Sequence, residues 1–232
     1  NDNFSVIVAA VEQGRAIVSN IRKVITYLLS DSFTEVILIG ASMIFGLPLP
    51  VLPVQILWVN LIEDGLPDIA LAFEPKERGL MKERPQPQRA PLLTGEMKSL
   101  IFIIGILTDI FLLGLYMILL KFSHYSIEHI RTVIFAGLSI DSLFFVFSCK
   151  SLNKNLWHIN ILSNKYLLGA WFFGFFMLFM ASYFPLFQTL LGTTSLDTID
   201  WIILIGLGLF NLILIEMTKW WYIKRSAKKT RA

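Results

Sequence analysis

Cysteine occurs once in the 232 residues, at Cys149, which excludes an internal disulfide framework and any zinc site built on cysteines. Charge is scarce as well: Asp, Glu, Lys and Arg make up 16% of the chain, against about a quarter in an ordinary soluble domain. The three histidines, His124, His129 and His158, have no i,i+4 partner and make a poor metal site, so surface positions are expected for all three. No secretory leader is visible, because polar "NDNFS" precedes the first apolar run; without an initiator methionine, the chain is expected to continue a longer one. What abounds is apolar sequence in long runs: 55% of residues are hydrophobic and mean hydropathy is +0.66. That is the composition of a membrane protein.

A net charge of +3 and a pI near 9.0 could point to nucleic acid, but Lys and Arg are confined to the segments between apolar runs. No nucleic-acid partner is therefore expected, and the expected solvent is lipid. A span needs about 20 mainly apolar residues, and six segments qualify, near 24–46, 53–73, 98–120, 131–149, 167–187 and 199–221. Basic residues gather in the second connection (Lys76, Arg78, Lys82, Arg84, Arg89), the fourth (Lys150, Lys154, Lys165) and the tail (Lys224, Arg225, Lys228, Lys229, Arg231). The first and fifth connections carry none. The positive-inside rule then puts both termini in the cytoplasm, and the plasma membrane is the expected location. The Pro-rich stretch from Pro85 to Pro91 reads as a linker between spans.

From about Val11, "VEQGRAIVSNIRKVITYLL" runs in helical period into the first span without a proline. Two expectations follow equally: a stalk that transmits motion from a cytoplasmic domain, or a helix that begins at the headgroups with Arg15, Arg22 and Lys23 on phosphate.

The costly residues lie inside the apolar runs. "WVNLIEDGLP" places Asn60, Glu63 and Asp64 within 53–73, at i, i+3 and i+4, a spacing that predicts one common face. The first span carries Asp31, Ser32 and Glu35, the fourth Asp141. A charge at mid-membrane costs from about 3 to over 10 kcal/mol, so such acids face a cavity or a partner. No mid-membrane Lys or Arg is at hand to neutralise Glu35, Glu63, Asp64 and Asp141, so a bound cation or protons must. Carboxylate, amide and hydroxyl oxygens without His or Cys describe a hard-cation site, suited to Ca²⁺. Gly65 and Pro67 follow at once and weaken the helix, freeing carbonyls. The alternative is that the acids are protonated and merely tie helices together by hydrogen bonds.

Other features read more plainly. The run "WFFGFFMLFMASYF" suits lipid contact and helix packing, and "GLGLF", with Gly206 and Gly208, suits close helix approach. Glu216 and Lys219, at i,i+3, suffice for an interfacial ion pair, and "KRSAKKTRA" suits anionic lipid. Asp109 has no partner that spacing assigns, and Asp68, one turn beyond Asp64, reads as a solvated helix end.

"NDNFSVIVAAVEQGRAIVSNIRKVITYLL", "LPLPVLPVQILWVNLIEDGLPDIALAFEP" and "APLLTGEM" resemble the carboxyl-terminal part of P-type cation-transporting ATPases, nearest the calcium-pump branch. The resemblance covers the whole chain. It implies an all-α membrane bundle of six transmembrane helices, the family's fifth to tenth, with the first extended as a cytoplasmic stalk. Residues 1–16 would close the phosphorylation domain and begin the stalk; 17–232 would form the cation-transport domain. Carried over by position, Glu35, Asn60, Asp64 and Asp141 match the family's calcium ligands. Ser32 stands where calcium pumps have an asparagine ligand, Glu63 where they have a threonine, and Asp141 is one methylene shorter than the usual glutamate.

The resemblance also implies partners: the actuator, phosphorylation and nucleotide-binding domains and the first four membrane helices of the same pump. ATP and Mg²⁺ would bind there, since the sequence has no "DKTGT" motif, and this chain alone should be inactive. Thr94, Gly95 and Glu96 echo the actuator's TGE motif but precede a span, so Thr94 is read as a helix N-cap. The function expected is ATP-driven cation export, of calcium first; a pump for a proton, sodium or another cation, or a stand-alone carrier or binding protein, stays open.

Overall fold

The computed structural model describes residues 4–77, 79–82 and 91–229. Arg78, Arg84, Arg89 and Arg231, and the linker expected at 85–91 apart from Pro91, lie outside them, as do the side chains from Arg225 onward. Among the described residues all regular structure is helical.

Helix α1 runs unbroken from Phe4 to Ile44, 41 residues, or about 60 Å at 1.5 Å per residue. The stalk expected ahead of the first span is thus one helix with it. It stops where Gly46 takes the left-handed conformation (φ 65°) and the Leu47 amide donates to the Ser42 carbonyl at 2.9 Å. The second apolar segment is interrupted rather than a single helix. It comprises α2 (Pro53–Trp58), a π segment (Val59–Glu63) and α3 (Gly65–Ala72). Helix α4 (Gly95–Phe122) begins at Thr94, whose Oγ1 accepts from the Met97 amide at 3.2 Å, the N-cap that the sequence predicts. Ser126 caps α5 (Ile127–Cys149) and Asn164 caps α6 (Lys165–Tyr183) in the same way.

The fifth apolar run, expected to 187, is cut at Tyr183. Pro185 has no N–H for the Ala181 carbonyl, which accepts instead from Thr193 Oγ1. A short helix, α7 (Pro185–Leu191), follows, ended by left-handed Gly192. Helix α8 is Thr198–Lys229. Five helices among the described residues are long and apolar enough to cross a membrane, and the interrupted 53–72 segment makes the sixth apolar element.

Helix α5 is the centre of the bundle. In its most apolar stretch 89% is buried, against 28–33% for the other four long helices, and it packs on α1, α4, α6 and α8. Gly208 of α8 lets that helix approach α5: an added Cβ would meet Phe144 at 2.7 Å and Ile140 at 2.9 Å. Gly206, expected to do likewise, has open space around it. Gly208→Ala is therefore expected to lower the thermal unfolding midpoint in detergent, at an overpacking cost of about 1–3 kcal/mol. Gly206→Ala is expected to raise it slightly through helix propensity.

Polar clamps close one end of the bundle. Lys23 pairs with Glu77 at 2.8 Å, Lys150 with Glu74 at 2.9 Å, and Lys219 with Glu216 at 2.9 Å, the last as the i,i+3 spacing predicts. Asn20 of α1 donates to the carbonyls of Ala72 (3.1 Å) and Glu74 (2.8 Å), and Arg15 to that of Leu80 (2.9 Å). These bonds satisfy carbonyls left over at the end of α3 and join that end to the stalk.

Candidate cation site

Three residues of α1, Tyr27, Asp31 and Glu35, are spaced by four and so stand on one face. That helix packs on both α3 and α5. Glu35, 8% exposed, accepts through Oε1 from Asn60 Nδ2 at 2.7 Å. Asn60 Nδ2 also donates to the Ile56 carbonyl at 3.1 Å, which leaves its Oδ1 to serve as a ligand oxygen.

Asp64 is buried, 2% exposed. Its Oδ1 accepts from Tyr27 Oη and from Ser142 Oγ, both at 2.7 Å, and those two hydroxyls lie 2.6 Å apart. Its Oδ2 is buried without a partner, as is Oδ2 of Asp31. The two carboxyl groups are close enough for their charges to interact. Two adjacent carboxylates repel unless a proton or a cation lies between them. Asp31, which the resemblance matches to no ligand position, thus lies beside Asp64.

The π segment separates residues expected on one face. Its i→i+5 bond, Asp64 amide to Val59 carbonyl at 2.9 Å, inserts a residue into the turn, a device frequent at functional sites. Glu63, wholly buried, turns to Trp58, whose Nε1 donates to Oε1 at 3.0 Å, and lies beside Ser139 of α5; its Oε2 has no partner. Asn60 and Asp64 meet α1, whereas Glu63 faces elsewhere. Pro67 has no N–H, so the Glu63 carbonyl lacks its i+4 donor.

Asp141 lies on α5, but both its oxygens engage α4 and α8. Thr108 Oγ1 donates to Oδ2 at 3.2 Å and Asn211 Nδ2 to Oδ1 at 2.5 Å. Asp141 is still near enough to Asp31 for their charges to interact. Ser32 stands on an exposed face of α1 and meets none of these acids. Asp68 is only partly solvated: the residue is half-buried and its Oδ1 is buried without a partner, close to Asp64.

The buried lysines cannot neutralise this group, because Lys23, Lys150 and Lys219 are committed to Glu77, Glu74 and Glu216. Among the described residues no three His, Cys, Asp or Glu side chains converge as a metal cluster. The acids are instead interleaved with amide and hydroxyl oxygens, the donor chemistry of hard cations. His129 corrects the expectation of three surface histidines. Its ring lies 3.1 Å from both Thr194 Oγ1 and Asp200 Oδ2, joining α5 to α8, while His124 and His158 are exposed.

Sequence reasoning missed Tyr27, Thr108, Ser139, Ser142 and Asn211. The available signal was weak: Asn211 is a lone polar residue in an apolar run, Thr108 and Ser142 adjoin Asp109 and Asp141, Ser139 lies two residues before Asp141, and Tyr27 precedes Asp31 by four.

Comparison with known proteins bears on this arrangement. Residues 48–221 match the family model described as "Cation transporting ATPase, C-terminus". The chain is 31% identical over 215 residues to a calcium-transporting ATPase of Bacillus subtilis, covering 93% of this chain and 24% of that protein. It is 34% identical over 233 residues to calcium-transporting ATPase 1 of Bacillus cereus, covering 94% and 26%. A probable cation-transporting ATPase F of Mycobacterium bovis is 30% identical over 202 residues, covering 87% and 22%. The chain thus spans about a quarter of the length of these relatives. With these matches and an all-helical bundle among the described residues, the chain belongs to the P-type cation-transporting ATPases, as their carboxyl-terminal transmembrane region.

Proposed function

We propose that this chain binds and translocates the cargo of an ATP-driven pump, and that the cargo is Ca²⁺. The observation that carries the proposal is Asp64: a buried carboxylate with two hydroxyl donors on one oxygen, none on the other, and Asp31 beside it. Glu35, Asn60, Asp64 and Asp141 are the core of the ligand set; Glu63, close enough to Asp64 for their charges to interact, tunes it, and Ser32, exposed and away from these acids, stands outside it despite the position it occupies. The names of the two Bacillus relatives support calcium. The Lys and Arg of residues 76–89, 150–165 and the tail support cytoplasmic termini and, with calcium export, the plasma membrane.

In the complete pump, ATP and Mg²⁺ act outside this chain, which alone should be inactive. Residues 1–16 close the phosphorylation domain, and the first four helices complete the bundle. Helix α1 links that domain to the site because Glu35 and Asp31 sit on the same rod as Arg15, Asn20 and Lys23. Cation and protons compete for the same carboxylate oxygens, so a displacement of α1 that opens the ligand set exchanges one for the other.

The test is ATP-driven ⁴⁵Ca²⁺ uptake into inverted vesicles holding the full-length pump, native and Glu63→Thr. Uptake by the native pump, with altered apparent affinity in the variant, is the expected result. No uptake, together with ATPase activity stimulated by another cation or by low pH, overturns calcium and retains the pump. Phosphorylation from ATP that Ca²⁺ leaves unchanged, with no cation stimulating it, overturns both.

A further inference from the structure

We propose a second cation position, between α4, α5 and α8, held by Asp141, Thr108 and Asn211 with Asp109 supplying a second negative charge. It rests on the reading of the cargo as a hard cation and extends it to residues outside the Glu35, Asn60 and Asp64 group. Three observations converge.

The first is a cavity of about 20 Å³, room for one water-sized species, lined by Thr108, Asp141 and Asn211 together with Gly137 and Gly208. At both glycines a Cβ would collide, with Leu112 at 2.8 Å and with Phe144 at 2.7 Å, so the three helices are drawn together around a polar centre. The second is that Asn211, 3% exposed, lines this cavity with an Oδ1 that has no partner. An amide that donates to Asp141 and Thr108 while its buried oxygen goes unused is incompletely satisfied, which buried polar groups avoid. An ion in the cavity supplies the partner that this oxygen lacks.

The third is Asp109, 3% exposed, with neither oxygen partnered and close enough to Asp141 for their charges to interact. Among the described residues neither carboxylate is paired with a lysine or arginine, and the two match the charge of a divalent ion. Asp141 contributes two oxygens and Thr108 and Asn211 one each. Water completes the six to eight that Ca²⁺ takes, while Asp109, outside the cavity lining, balances charge from close by. Asp31 is close enough to both Asp64 and Asp141 for their charges to interact, which couples the two positions.

The experiment is equilibrium binding of ⁴⁵Ca²⁺ to the purified full-length pump, read as ions bound per molecule at saturation. Asp109→Asn and Asn211→Leu are each expected to bind one ion fewer than native, and Asn211→Asp, which keeps a ligand oxygen, to bind as many. Glu35→Gln should remove a different ion, so that Glu35→Gln with Asp109→Asn binds two fewer. If either loss variant fails to fold, Thr108→Val, which removes one donor without changing shape, takes its place. Unchanged binding in the folded loss variants overturns the second position while leaving the pump reading intact. The same holds if Glu35→Gln with Asp109→Asn loses no more than Glu35→Gln. Absence of binding by the native pump overturns calcium as cargo, and this position with it.

Discussion

Asp64→Asn is expected to abolish Ca²⁺-dependent phosphorylation of the full-length pump at Ca²⁺ concentrations that saturate the native protein. Its apparent affinity should fall by at least a hundredfold, about 2.8 kcal/mol. The substitution keeps the shape and one acceptor: the new Oδ1 still takes the Tyr27 and Ser142 hydroxyls that now sit at 2.7 Å. What goes is the negative charge and the free oxygen, Oδ2. An amide also relieves the contact with Asp31, so the thermal midpoint is expected to hold or rise while ion binding collapses. That split separates a ligand from a structural residue, because a carboxyl group serving only to tie helices together would lose stability and keep ion dependence. Phosphorylation against Ca²⁺ concentration and a melting curve on the same preparation decide it.

Glu216→Ala is expected to produce the largest loss of stability, about 3–5 kcal/mol. Glu216, 2% exposed, accepts from Lys219 (2.9 Å), Ser148 Oγ (2.6 Å), Asn155 Nδ2 (2.9 Å) and the Leu156 amide (2.8 Å). Removing it leaves the Lys219 ammonium buried, held by Ser148 alone. The double variant Glu216→Ala with Lys219→Met should recover much of the loss, since a buried pair replaced by apolar groups is close to neutral. Midpoints of unfolding by fluorescence-detected size exclusion check both. A drop below about 1 kcal/mol for the single variant would mean that water reaches the lysine.

Hydropathy made the membrane class and the long helices legible, because a lipid-facing helix must be apolar along its length whatever it packs against. It overran at Pro185, since Pro185, Leu186 and Phe187 are as apolar as the helix before them and only the missing N–H marks the break. In the site, the acids announced themselves by their cost in lipid, and Asn60 donates to Glu35 across the two helices. Their partners could not be read. Whether Ser142 or Thr108 reaches an acid depends on how α5 turns against α1 and α4, which no spacing within one helix fixes. Gly65 and Pro67 warned of a weak turn but not of its form. Glu63 was therefore grouped with neighbours it does not face.

The extra residue of the π segment has an angular consequence. An α-helix advances about 100° per residue, so one residue inserted over Val59–Glu63 leaves α3 out of phase with α2 by that amount. Gln55, upstream, is aimed at the Leu191 carbonyl, while Asp64, downstream, is aimed at Tyr27. A chain one residue shorter here would close into a regular helix, and no single rotation of that helix could then satisfy both ends. Residue count within this turn, more than the identity of any one side chain, is what allows Asp64 and Gln55 to keep their opposite commitments.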